Sequence, residues 1–176
     1  RWQQISRDLG LNLKDWRTSG THILICTQRN GGWSMAGTNV VDWLEQTITE
    51  LRKYTDRPIL VRGHPGDKNA RKYLDAKKYK VSVRPKLTQD LANAWATITY
   101  NSSPGVASAI EGIPLFVTDP NPKISQASDV ANTDLSQIEA PQTFERQEWV
   151  EKLSMSHWNF QELSNGSAWK FMRDYV

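Results

Sequence analysis

The chain has 176 residues, 38% hydrophobic and 23% charged, with a formal net charge of +3 at pH 7. That length carries one sizeable core, and the composition excludes a disordered or fibrous chain. No apolar run approaches a membrane span, because Val41-Asp42-Trp43 and Arg57-Pro58-Ile59 interrupt the candidates.

The first residues, RWQQISRDLGLNLKDW, have the pattern of a helix end, and the chain opens on Arg1 without a leader pattern. Residues 1–20 are therefore expected to be the remnant of a preceding domain or a linker. HILICT (22–27) reads as a buried strand in which Cys26 is a small hydrophobe. A lone cysteine makes no internal disulfide, and with three separated histidines it assembles no metal cluster, so no metal is expected. One thiol also suits a reducing cytoplasm. The glycine-bearing loop QRNGGWSMAG leads to a helix in NVVDWLEQTITELRKY. There Val40, Trp43, Leu44, Thr47, Ile48 and Leu51 share one face, with Asn39 or Thr38 as cap.

PILVRG (58–63) is a second strand, GDKNARKYLDAKK a short polar helix and YKVSV (79–83) a third strand. LTQDLANA (87–94) reads as a helix capped by Thr88, and ATITY (96–100) as a fourth strand. SSPGVASAIEG is a helix stopping at Gly112, and IPLFVT (113–118) a fifth strand. The segment 119–141, rich in Pro, Asn, Asp and Ser, reads as extended surface chain. Helices at 143–155 and 159–174, capped by Thr143 and Asn159, close the sequence. Trp43, Trp149, Trp158 and Trp169 fall in helical patterns and are expected in the core or against a further domain. The predicted architecture is α/β. It has a Rossmann-like domain at 21–142, with a parallel sheet of about five strands flanked by helices, and a C-terminal helical tail at 143–176. The tail is expected to pack back on that domain or on a preceding one.

Ligands of open parallel sheets bind beyond the carboxyl ends of the strands, so the residues after each strand carry the chemistry. Asn101-Ser102-Ser103-Pro104-Gly105 joins a strand to a helix. Two hydroxyls, free N–H groups and the helix dipole suit an anion there, and Gly105 would admit a phosphate to the backbone; a plain serine cap is the alternative. In Arg62-Gly63-His64-Pro65-Gly66, His64 can donate to a phosphate or move a proton, and Arg62 can supply a bidentate contact; a structural histidine is the alternative. In Gln28-Arg29-Asn30-Gly31-Gly32, the paired glycines Gly31 and Gly32 can admit a diphosphate that Arg29 neutralises; a hinge is the alternative. Lys68, Arg71, Lys72, Lys77, Lys78, Lys80, Arg84 and Lys86 fall in one stretch, either a solvated face or a surface for a phosphate-bearing partner. No GxSxG elbow, P-loop or HExxH is present.

RPILVRGHP followed by TYNSSPGVASAIEGIPLFV resembles the C-terminal, nucleotide-sugar-binding domain of GT-B glycosyltransferases, of the capsule and polysialyl type with His-Pro and Ser-Ser motifs. The resemblance covers roughly residues 21–118, and Gly112-Ile113-Pro114 matches the Gly-x-Pro that begins the next strand. It implies transfer of a sugar from a nucleotide donor, used as substrate rather than cofactor, by a metal-independent displacement. The leaving phosphates would be held by Ser102, Ser103, His64 and Arg29. The acceptor and its base would lie on a missing N-terminal domain. On the nucleoside side it points to the strand-end residues Arg84, Lys86, Leu87 and Asp119. Many members carry a glutamate for the ribose four residues after the second serine, where this chain has Ala107. The tail WNFQELSNGSAWKFM looks like that of phage GT-B-like proteins, which implies hydroxymethylated DNA as acceptor and a host cytoplasm as location. A surface polysaccharide acceptor and a non-catalytic nucleotide-binding module are the competing expectations.

Overall fold

The computed structural model describes residues 1–174, apart from the side chain of Arg71. They form two compact units: Asn12–Arg146, and Arg1–Leu11 together with the chain from Gln147 onward.

The larger unit holds five parallel strands: β1 (His22–Cys26), β2 (Ile59–Arg62), β3 (Lys80–Val81), β4 (Ala94–Thr99) and β5 (Leu115–Val117). Their spatial order is β3-β2-β1-β4-β5, so the chain winds outward from β1 in both directions, as a Rossmann-like sheet does. Alternation along β1 divides the core. Ile23 and Ile25 face a cluster with Ile59, Val61, Ile98, Phe116 and the apolar side of α2 (Val40–Leu51). Leu24 and Cys26 face the other way, toward Leu60, Leu91 of α4 (Leu87–Leu91) and Ile113. Complete burial pushes the Cys26 thiol up to about 12, as befits a core residue. Two short helices complete the layers, α3 (Ala70–Tyr73) and α5 (Pro104–Ile110).

The α2 cap is Asn39, whose carboxamide oxygen accepts from the N–H of Val41 (2.8 Å) and Asp42 (3.4 Å). Thr88 is not the α4 cap. That position is Lys86, whose N–H donates to Gln89 Oε1 (3.2 Å), and Thr88 lies inside the first turn. The fourth strand begins at Ala94 rather than 96. A register shift pairs His22 with Ala94 but Ile23 with Ala96, so the extra residue, Trp95, hides the alternation from a sequence reading.

The segment 119–141 is not extended surface chain. It makes three short 3-10 turns and buries Ala127, Val130 and Ile138. Asn132 then runs beside β5. Its N–H donates to Leu115 O (2.8 Å) and its carbonyl accepts from Val117 N–H (2.9 Å). Gly112 has φ +72, and a side chain there would meet Asp15 O at 2.1 Å, which makes glycine obligatory at this crossing. Arg146 fixes the same corner, stacking on Trp16 (4.0 Å) and donating to Ala109 O and Lys14 O.

The smaller unit contains α1 (Trp2–Leu9), α6 (Gln147–Ser154), α7 (Phe160–Ser164) and α8 (Ser167–Arg173). Thr143 lies before α6 and outside it. Asn159 does cap α7, in a reciprocal pair with Glu162 (2.9 Å each way). The last predicted helix is broken in two at Gly166, where φ is +79. Trp43 and Trp149 are buried, and Trp158 packs on Phe171 and beneath the Arg1 guanidinium. Trp169 is 68% exposed and not a core residue. Among the described residues no helix is long and apolar enough to cross a membrane.

Candidate functional site

The strand order reverses at β1, so the crevice of an open sheet falls between the tips of β1 and β4. A polar frame braces that point. Gln28, buried just after β1, accepts from Asn101 N–H (3.0 Å) and donates to Ser34 Oγ (2.7 Å). The Asn101 carboxamide donates to Ser34 O (3.1 Å) and to Asp119 Oδ2 (2.6 Å). Three strand-end loops, after β1, β4 and β5, are thereby locked together. Asp67 ties in the loop after β2 by accepting from Asn30 N–H (3.0 Å), Asn69 N–H (2.9 Å) and the Tyr73 hydroxyl. The Tyr73 hydrogen bond first, then the two N–H groups and the Arg29 charge, hold the Asp67 carboxyl below the usual carboxylate range. Gln28, Ser34 and Asp67 escape a sequence reading as organisers. An amide or carboxylate after a strand signals polarity, not which distant N–H it will meet.

His64 stands at the β2 tip. Gly66 N–H donates to His64 Nδ1 (3.0 Å), so the neutral ring carries its proton on Nε2. A side chain at Gly66 would press on the ring at 3.1 Å from Cε1, so the glycine permits this pose. Among the described residues Nε2 has no protein partner. The Arg29 guanidinium, in the exposed loop after β1, likewise makes no hydrogen bond or close ion pair among the described residues. Gly31 takes φ +71 in that loop, a conformation natural to glycine, and Gly32 N–H closes the turn onto Arg29 O (3.1 Å).

Ser103 occupies the cap position of α5 but makes no side-chain capping bond, and it is exposed. Ser102 Oγ is enclosed and unpaired, a state that costs about 1–3 kcal/mol. β2, β1 and β4 are neighbours, so His64, Arg29 and the serine pair sit at consecutive strand tips. Two strand spacings, about 10 Å, separate the outer pair of tips.

Other expected site residues are engaged within the fold. Arg62 donates to Arg84 O (3.0 Å), Pro85 O (3.1 Å) and the wholly buried carboxylate of Asp90. An unpaired buried carboxylate is far costlier than a surface one, so this pair holds the guanidinium inward and away from a ligand. Gly105 is buried against β5, where a Cβ would lie 3.0 Å from Leu115 Cδ2. Its small size serves helix–strand packing rather than close approach of a phosphate. Asp119 accepts from Asn101 and, through Oδ1, from Asn121 N–H (2.8 Å), so both oxygens already have partners. Arg84 donates to Gln89 O, Lys86 is exposed at the start of α4, and Leu87 packs on the Leu24–Leu60 face. Ala107, where the resembling family has its glutamate, packs against the Leu24 and Cys26 face. The basic stretch is mostly exposed; Lys78 pairs with Glu45, and the Arg71 side chain lies outside the described residues.

No protein-family model matches the chain, and no curated protein matches it. Among solved structures it is similar to KpsC of Thermosulfurimonas dismutans, a β-Kdo 2,7 transferase. The identity is 17% and the TM-score 0.45, over 78% of this chain and 51% of that one. The chain thus spans about half the length of that structure.

Proposed function

We propose that the chain is the nucleotide-sugar-binding half of a two-domain, GT-B-type glycosyltransferase. The observation that carries this reading is the set of unpaired donors at three consecutive strand tips: His64 Nε2, the Arg29 guanidinium and the Ser103 hydroxyl. A diphosphate suits such a set, because each donor hydrogen-bonds an anionic oxygen and the Gln28–Asn101 frame limits reorganisation. In transfer, negative charge builds on the leaving phosphate as the bond to the sugar breaks. Donors aimed there in advance stabilise that charge, with His64 donating from Nε2. The donor is a substrate, and the acceptor lies on a further domain. For the acceptor we favour hydroxymethylated DNA over a surface polysaccharide, on the strength of the exposed Lys68, Lys72, Lys77 and Lys86.

Titration calorimetry of the chain with UDP, CDP and CMP tests the reading. Binding is expected, with His64→Ala and Ser103→Ala each weakening it about tenfold or more, as befits hydrogen bonds to a charged group. Failure to bind any of the three, or variants that bind as tightly as the parent, would overturn it. A second reading, a nucleotide-binding module without catalysis, draws on Ala107, which stands where the resembling family has a glutamate for the ribose. Tight nucleotide binding with no turnover by the whole protein would favour that one.

A further inference from the structure

Trp33 is 94% exposed, although the residues on either side of it are tied down. Its neighbours on the carboxyl side are anchored. Ser34 is bonded through Oγ to Gln28 (2.7 Å) and through its carbonyl to Asn101 (3.1 Å), and Met35 is fully buried in the core. On the amino side, the Gly32 N–H closes onto Arg29 O (3.1 Å). The turn ends at Ala36, a non-glycine residue in the left-handed region with φ 48, whose N–H returns to Trp33 O (3.0 Å). The indole is therefore held out by a braced turn. Among the described residues its ring has no aromatic or cationic partner and its Nε1 no acceptor. A singly exposed apolar side chain is ordinary, and Phe160 is nearly as exposed; what sets Trp33 apart is its place on a braced strand-tip loop four residues from Arg29.

We infer that Trp33 is a stacking platform for the ring of a phosphorylated ligand bound at the strand tips. The inference rests on the reading of those tips as a phosphate site. Arg29, four residues earlier in the same loop, offers an unpaired planar cation for the phosphate. An indole offers a flat face that a nucleobase stacks on and a pyranose ring packs against, with little dependence on which base or sugar it is. Both rings are carried by a nucleotide sugar, one at each end of the phosphates.

Two probes separate the rings: UDP, which has the base and no sugar, and glucose 1-phosphate, which has the sugar and no base. Each is titrated into the parent chain, Trp33→Ala and Trp33→Phe, with thermal unfolding as the control; an exposed side chain leaves the midpoint unchanged. Trp33→Ala is expected to weaken one probe about tenfold or more, and Trp33→Phe to keep most of the affinity. Weakening of UDP alone assigns the base to the indole, and weakening of glucose 1-phosphate alone assigns the sugar. If Trp33→Ala binds both probes as the parent does, the platform is wrong and the phosphate site stands. A parent chain that binds neither of these, nor CDP or CMP, removes the phosphate site and the platform with it.

Discussion

His22 sits at the start of β1 with Nε2 bonded to Asp90 O (3.0 Å) and Nδ1 to the Thr21 hydroxyl (3.1 Å). Burial, the largest influence, joined by the charges of Arg84 and Lys80, holds its imidazole below the ordinary value of 6.5, against the pull of the Asp90 bond. The unfolded chain then takes up this proton before the folded one does. The stability tied to His22 is full above that ordinary value and declines as the pH falls below it. Urea unfolding between about pH 7.5 and pH 5.5 should show stability falling on the acid side, and His22→Gln should flatten that slope. An unchanged slope in the variant would refute the assignment. The Arg62–Asp90 pair shows why single residues are hard to read from sequence. An arginine after a strand has the look of a phosphate ligand, yet its partner lies 28 residues on, and only the fold reveals that the carboxylate is buried. The place of His64 at the β2 tip was legible because it follows the strand directly, a local feature.

Among the elements, α5 and β5 approach so closely that a methyl group at Gly105 would lie 3.0 Å from the Leu115 side chain, which would have to shift. Gly105→Ala should cost about 1–3 kcal/mol by overpacking against Leu115. Combined with Leu115→Ala, the loss should be smaller than the sum of the two single losses, a coupling that denaturant titration of the double-mutant cycle will measure. Additive losses would mean that the glycine serves something other than this contact. The strands and α2 were legible because their apolar periods are long and their ends are marked by Asn39 and Gly112. β3, α3 and α4 were foreseen, but over longer stretches than they occupy, and the turns of 119–141 were missed, because such short pieces take their ends from neighbours rather than from a period of their own. The β4 boundary was missed for a related reason, since one extra residue at Trp95 reverses the pattern.

For the whole molecule, the unit from Asn12 to Arg146 contains the complete sheet, both core clusters and the braced strand tips. Its closing residue, Arg146, meets Trp16, Lys14 and Ala109 within it. A chain limited to residues 12–146 is expected to unfold in one cooperative transition and to bind nucleotide as the longer chain does. A broad, non-cooperative melt in circular dichroism would show that the sheet depends on the helices outside it. Asn132 has a consequence for association between chains. By lying along β5 it takes up the N–H of Val117 and the carbonyl of Leu115, groups that an open border would offer to a stranger. The opposite border, β3, is two residues long and too brief to template a neighbour. With both flanks closed to zippering, this sheet resists cross-β growth, and its companions must meet it through side chains.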